Sequence, residues 1–233
     1  MNAILIPVKE FHEAKKRLAP HFPSADRAAL AQAMCEDFFQ VIAATRCVER
    51  VFVVSNEPAA LSRARKLGWE TIPEAQQISE SNSVDAASQY CAAQGVKALL
   101  RLPIDIPLAE TRDIEVIFEK LDASPAAILV PSRDGSGTNA LLRMPPELFP
   151  SHFGPNSFAL HLAEAERCGA RTCVLRNARL ELDIDELEDL RSVSMLLRPG
   201  SATAHWLAGH GQGRSENRSS AADFNEDWGS GGR

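Results

Sequence analysis

Along roughly the first two hundred residues, short apolar runs alternate with longer stretches in which apolar positions recur every three or four residues. The short runs read as buried strands and the periodic stretches as amphipathic helices, which is the order of repeated βαβ units. Ala3 to Val8 is the first such strand. Ser24 is suited to cap a helix reaching about Arg46, with Leu30, Met34, Phe38 and Val41 on one face. Val51 to Ser55 is a second strand, and a helix from Pro58 to Leu67 closes at Gly68. A helix over Val84 to Gln94 stops at Gly95 in the same way, and the strand Ala98 to Leu102 delivers Asp105 to its end. A helix near Arg112 to Leu121 precedes a strand from Ala126 to Pro131, and Thr138 to Arg143 is extended. Ser157 to Arg167 is helical and ends at Gly169, Thr172 to Leu175 is a strand, and a final strand, Leu182 to Ile184, runs into a helix from Glu186 to about Leu196.

This pattern predicts an α/β fold: a three-layer α/β/α sandwich around a mostly parallel, Rossmann-like sheet. Such sheets bind ligands at the carboxyl ends of their strands. Lys9, Ser55, Asp105 and Asp185 each fall just after a predicted strand, so they are expected to converge on one cleft. From Arg198 the composition changes, and residues 209–233 are dominated by Gly, Ser, Asn, Arg and acidic residues without an apolar period. Residues 1–197 therefore read as one folded domain and 198–233 as a disordered tail, Trp206, Leu207 and Trp228 included, because it offers too little apolar surface to offset ordering entropy.

Charge and cysteine usage narrow the class. A formal net charge of -6 over 233 residues gives no overall basic field for nucleic acid. Basic residues gather instead at Lys9, Lys15, Lys16 and Arg17. The five cysteines form no C-x-x-C pair, which suits free thiols in a reducing compartment. The opening Met1–Val8 run lacks a basic leader and is broken by Pro7, so neither a signal peptide nor a membrane span is expected. A soluble cytoplasmic protein, monomer or homodimer, is the expectation.

Three groups of residues carry candidate chemistry. Asp134-Gly135-Ser136-Gly137-Thr138-Asn139 and Phe153-Gly154-Pro155-Asn156-Ser157 alternate glycine with hydroxyl and amide side chains, which lets a backbone approach a small anion; taken singly, each is also an ordinary tight turn. The second patch opens a helix, whose positive end favours an anion. Asp183 and Asp185, two apart on a predicted strand, share a face, and with Asp105 they form a hard oxygen set suited to magnesium. Asp185 also suits a helix N-cap paired with Glu188. Lys9, Lys15 and Arg17 follow the first strand, where cations can hold a triphosphate or simply be solvated; their spacing fits neither a P-loop nor a dinucleotide loop. His161, one turn after Ser157, either orients a substrate anion or packs behind the loop.

Taken together, Pro7-Val8-Lys9, Ala14-Lys15-Lys16-Arg17-Leu18, Asp105-Ile106-Pro107-Leu108, Gly135-Ser136-Gly137-Thr138-Asn139-Ala140-Leu141, Phe153-Gly154 with Ser157-Phe158 and His161, and Asp183-Ile184-Asp185 with Asp189-Leu190 resemble the guanylyltransferases of coenzyme F-420 biosynthesis, called CofC or FbiD. The resemblance implies a nucleotide-diphospho-sugar transferase-like fold and transfer of GMP from GTP to a phosphorylated three-carbon acid, with release of pyrophosphate. The acid would be 2-phospho-L-lactate, phosphoenolpyruvate or 3-phospho-D-glycerate, with the first two favoured. It further implies acid binding at Thr138, Gly154 and Ser157, Mg2+ on Asp105, Asp183 and Asp185, and a triphosphate held by Lys9, Lys15 and Arg17. The family's Gly-Leu-Asn motif near the base survives only as Asn82, within Glu80-Ser81-Asn82-Ser83. Alternatives are a nucleotidyltransferase acting on a sugar phosphate or molybdopterin, which would carry a longer Gly-rich first loop, and an inactive nucleotide-binding regulatory protein, against which the three aspartates argue.

Overall fold

The computed structural model describes residues 1–210. The strands β1 (Asn2–Val8), β2 (Arg50–Ser55), β3 (Glu70–Pro73), β4 (Ala98–Arg101), β5 (Ala126–Pro131), β6 (Thr138–Met144) and β7 (Arg171–Val174) form one seven-stranded sheet in the order β3-β2-β1-β4-β6-β5-β7. The β1–β2, β1–β4, β2–β3 and β5–β7 pairs are parallel, and β6 runs antiparallel to both β4 and β5. The helices are α1 (Ser24–Ala44), α2 (Pro58–Lys66), α3 (Glu80–Ala93), α4 (Thr111–Glu119), α5 (Ser157–Arg167), α6 (Leu187–Ser194) and α7 (Ala202–His210).

Strand alternation separates the two cores. Ile4, Ile6 and Val8 of β1 join Phe38, Phe39, Leu61 and Ile117 from α1, α2 and α4 on one face. Ala3 and Leu5 pack with Val84, Ala87 and Cys91 of α3 on the other, and Leu129 and Leu141 meet Ala165 of α5. Both faces are covered, so the central strands read as unbroken apolar runs. The expected three-layer sandwich is the one observed.

Several boundaries differ from expectation. The strand β3 was not anticipated, because Glu70-Thr71-Ile72-Pro73 is short and only half-buried at the sheet edge. Helix α1 begins at Ser24 with Pro23 in the cap position, and α3 begins at Glu80, capped by Ser79, whose Oγ accepts the Asn82 N–H at 3.1 Å. Helix α6 is capped by Glu186 in a reciprocal box with Asp189, one residue later than expected, which leaves the Asp185 carboxylate out of the cap. The predicted strand Leu182 to Ile184 has no ladder. Its segment is instead stitched to loops: Arg133 N–H donates to Glu181 O at 2.8 Å, and Ile184 N–H to Asp105 O at 2.9 Å.

The expected tail boundary at residue 197 is too early. Helix α7 lies on α1, with Trp206 buried among Leu30, Met34 and Leu197. The Asp37 carboxylate of α1 accepts the backbone N–H groups of Ala202 and Thr203, both at 2.8 Å, and the Thr203 hydroxyl at 2.6 Å. Nine residues with no hydrophobic stripe of their own are thus held by Trp206, by a local cap from Ser201, whose Oγ accepts the Ala204 N–H at 3.2 Å, and by a carboxylate borrowed from another helix. Trp228 and the rest of 211–233 lie outside the described residues.

Candidate active site

The cleft opens where the strand order reverses between the neighbours β1 and β4, at the carboxyl ends of the parallel strands, the position expected of a ligand site. It has a volume of about 870 Å3. Because β6 is antiparallel, its first residues, Thr138 and Asn139, arrive at this same end. Lys9, Lys15, Arg17, Asp105, Thr138, Gly154, Ser157, Asp183 and Asp185 all line it. Asn82 and His161 do not: Asn82 is exposed in the first turn of α3, and His161 is fully buried behind Thr138.

Oxygens of Asp105, Asp183 and Asp185 lie within 4.8 Å of one another, an arrangement that could hold a metal ion. The alternation expected of a strand survives without one. Leu182 and Ile184 point into the core beside α6 and α1, which turns Asp183 and Asp185 to the cleft. Lys15, held in left-handed backbone conformation at φ 54, puts its buried ammonium between two of the carboxylates, 2.6 Å from Asp105 Oδ2 and 3.1 Å from Asp185 Oδ1. Arg17 reaches Asp185 at 3.3 Å from an exposed position at the mouth. The structure therefore spends Lys15 on the aspartates rather than leaving it as a loop cation.

The charges in this cluster settle unevenly. Burial works against the charged form of Lys15, yet Asp105 and Asp185 outweigh it and raise its pKa. Burial likewise opposes the Asp105 carboxylate, but the adjoining Lys15 keeps its pKa below the ordinary value. Asp183 has no cation of its own. Burial, followed by the charge of Asp105, pushes it up to about 6, against which the Asn139 amide, at 3.1 Å, and a backbone hydrogen bond support its ionised form. Asp105 Oδ1 is buried with no hydrogen-bond partner. An orphaned carboxylate oxygen beside a second carboxylate that resists ionisation marks a place short of positive charge.

The opposite wall is built from hydroxyls. Ser157 Oγ is 3.4 Å from Thr138 Oγ1, and His161 Nδ1 is 3.0 Å from the same oxygen. His161 Nε2 accepts the His152 N–H at 2.8 Å, so the ring proton resides on Nδ1 and is donated to Thr138. Burial, followed by the charge of Arg143, lowers the His161 pKa to about 3 and keeps it neutral. With Thr138 Oγ1 already accepting, its own O–H is free to donate. The Gly-Ser-Gly loop contributes fewer donors than its sequence implies. Ser136 N–H is bound to Asp134 Oδ1 at 3.0 Å and Gly137 N–H to Ser132 Oγ at 2.7 Å. Gly137 is required there because a Cβ would meet Ser132 Oγ at 2.9 Å. Gly154, at φ 131, turns the chain into α5 in a conformation that side chains resist.

Two lining residues escaped the sequence reading. Arg101 ends β4 with its side chain buried and its guanidinium 4.1 Å from the centre of the Phe153 ring, and it is ion-paired to Glu80 of α3. A single arginine inside an apolar strand is the signal that could have found it, since such a charge is buried only with a partner. Glu80 had no such mark. Among the described residues, no helix is long and apolar enough to cross a membrane.

The backbone resembles solved nucleotide-processing enzymes. A Desulfovibrio desulfuricans protein provisionally named a nucleotide-diphospho-sugar transferase superposes with a TM-score of 0.72 at 17% identity, covering 89% of this chain and 94% of that one. The 4-diphosphocytidyl-2C-methyl-D-erythritol synthase of Anaerococcus prevotii gives 0.57 at 9% identity, covering 88% and 95%. Sequence relatives are closer. The phosphoenolpyruvate guanylyltransferase of Rubrobacter xylanophilus is 37% identical over 188 residues, 80% of this chain and 90% of that protein. Its counterpart in Roseiflexus castenholzii is 37% identical over 207 residues, 88% and 92% respectively. The 2-phospho-L-lactate guanylyltransferase of Methanothermobacter thermautotrophicus is 31% identical over 189 residues, 81% and 82%. The family model described as guanylyl transferase CofC like matches residues 2–225, so this chain, an enzyme of the nucleotidyltransferase class, belongs to the CofC-like guanylyl transferase family.

Proposed function

We propose that this protein transfers GMP from GTP to a phosphorylated three-carbon acid in coenzyme F-420 biosynthesis, with phosphoenolpyruvate or 2-phospho-L-lactate ahead of 3-phospho-D-glycerate. The observation that carries the reading is the meeting, in one cleft, of the three-aspartate cluster with the Thr138–Ser157 hydroxyl wall. The names of the relatives favour the same two acids.

In this reading a phosphate oxygen of the acid attacks the α-phosphorus of GTP in line. A new P–O bond forms as the bond to the bridging β-phosphate oxygen breaks, and pyrophosphate leaves with the electron pair. The attacking phosphate is ionised at neutral pH, so the site needs orientation and charge stabilisation rather than a strong base. Thr138 and Ser157 donate hydroxyl hydrogens to the acid, with His161 fixing Thr138 from behind rather than touching substrate itself. Lys9 and Arg17 receive the triphosphate at the mouth, where both are more than half exposed. Lys15 exchanges a carboxylate for a phosphate oxygen as charge builds on the departing pyrophosphate.

Asp105, Asp183 and Asp185 would hold Mg2+, for which the orphaned Asp105 oxygen and the strained Asp183 charge leave room. When bound, that ion supplies Lewis-acid stabilisation of phosphoryl charge. Asn82, exposed on the first turn of α3, would face the base only if that turn borders bound nucleotide.

The deciding experiment is a competition of the three acids with GTP and Mg2+, resolving guanosine diphosphate esters by mass and following pyrophosphate. One of the first two acids should dominate. A dominant 3-phospho-D-glycerate ester would reverse the ordering, and no ester from any acid would remove the reading altogether.

A further inference from the structure

Arg101 is the one buried cation in the cleft wall that the reaction above does not use. Its Nη1 donates to the carbonyls of Thr138 and Asn139, both at 3.3 Å, so it sits directly behind the hydroxyl wall. Its side chain is only 7% exposed and faces the Phe153 ring. Its Nη2 is paired with Glu80 Oε1, and its Nε has no hydrogen-bond partner. The second oxygen of Glu80 lies 3.6 Å from Lys9 Nζ. One carboxylate is therefore shared by two cations, one on the acid-binding wall and one on the loop that follows β1.

A guanidinium this buried must be paired, and among the described residues the carboxylate that touches it is Glu80. A phosphorylated three-carbon acid brings a carboxylate and a phosphate to the wall that Arg101 supports. Two anions cannot occupy the same fork without repulsion, whereas the planar guanidinium can donate to either one in turn. Glu80 can leave at little cost. It is the first residue of α3, where an acidic side chain remains favoured by the helix end, and Lys9 offers it a second cation.

We propose that Glu80 is an internal competitor for the phosphorylated acid: its carboxylate holds Arg101 in the empty enzyme and is exchanged for an anionic group of the substrate. The pair then sets how tightly the acid binds, and Arg101 is a specificity-determining contact. The proposal deepens the guanylyltransferase reading and rests on it for the identity of the anion.

The test uses the full chain with Glu80→Gln, Arg101→Lys and the double variant. Phosphoenolpyruvate is titrated by calorimetry in the presence of Mg2+, without GTP. If Glu80 holds the site closed about nine-tenths of the time, Glu80→Gln binds the acid about tenfold more tightly. Its melting temperature should be lower than wild type without ligand, because Arg101 loses its partner, yet rise further on adding phosphoenolpyruvate. KM for the acid should fall by a larger factor than KM for GTP, whose cation Lys9 also loses its contact with the Glu80 charge. Arg101→Lys should raise KM for the acid at least about tenfold, and adding Glu80→Gln to it should restore nothing. Acid binding that is unchanged or weaker in Glu80→Gln overturns the exchange, as does absence of phosphoenolpyruvate binding to both wild type and Glu80→Gln. Should Arg101→Lys fail to fold, the Glu80→Gln titration decides alone. Ester formation with no tightening sinks only the exchange, whereas tightening without ester from any acid sinks only the guanylyltransferase reading.

Discussion

Asp183 carries a charge that its surroundings resist, and that makes it the most informative single residue in the site. Its pKa of about 6 lies above that of an unfolded aspartate, so between roughly pH 4 and 6 the folded protein keeps a proton that the unfolded chain has lost. Stability contributed by this group is therefore full below that window, falls as pH rises through it, and is flat above. In chelator at pH 7.5, Asp183→Asn should melt above wild type, and the advantage should vanish near pH 4. Thermal scans at the two pH values check this, and an advantage that persists at pH 4 would assign it to another cause. Saturating Mg2+ should reverse the order at pH 7.5 by stabilising only the wild type. Turnover should move the opposite way: Asp105→Asn and Asp183→Asn are expected to lose on the order of a hundredfold or more in kcat while remaining folded. Steady-state pyrophosphate release is the measurement, and activity within about threefold of wild type would take these residues out of the reaction.

Among the elements, α7 gives the clearest energetic prediction. Trp206 fills the space between α1 and α6, its ring 5.2 Å from that of Phe22, and its Nε1 donates to Asp26 O at 3.1 Å. Trp206→Ala should cost about 3–5 kcal/mol in denaturant unfolding, as burial on this scale does elsewhere. A loss below about 1 kcal/mol would mean that the helix contributes little to the fold. This element was hard to read in the sequence for a physical reason: Ala202–His210 has no apolar period, its one local signal is the Ser201 cap, and the carboxylate that holds its first turn, Asp37, comes from 165 residues away. The missed edge strand β3 and the absent strand at Leu182 have the same origin, since hydrogen-bond partners from elsewhere in the chain decided both outcomes. Helix α5 and strand β5 could be read to the residue, because Gly169 and the unbroken run Ala126–Pro131 encode their limits locally. That the three aspartates and Thr138, Gly154 and Ser157 share one cleft was legible from motif order. The internal use of the glycine-loop donors, the burial of Lys15 and the Arg101–Glu80 pair were not, because each depends on which distant side chain arrives opposite.

At the scale of the whole molecule, the single antiparallel strand among the described residues organises the candidate site. Had β6 run parallel to β4, Thr138 and Asn139 would open at the far end of the sheet, away from Asp105. The reversal brings hydroxyl wall and acidic cluster to one edge, while Leu182 and Ile184, anchored beside α1, bring in the last two aspartates. The ion pair between Lys15 and Asp185 spans 170 positions in the chain. During synthesis from the amino end, Lys15 thus emerges long before its carboxylate exists, and domains acquire their native contacts only as the chain supplies them. The pocket is consequently among the last parts of this protein to be born, and a ribosome-bound chain halted before residue 183 should have most of its sheet but no capacity to join nucleotide to acid. Releasing stalled chains of increasing length and assaying ester formation should show activity appearing abruptly, only after the segment from Leu180 through α7 has cleared the exit tunnel. Activity in a chain ending before Asp183 would separate the chemistry from the acidic cluster.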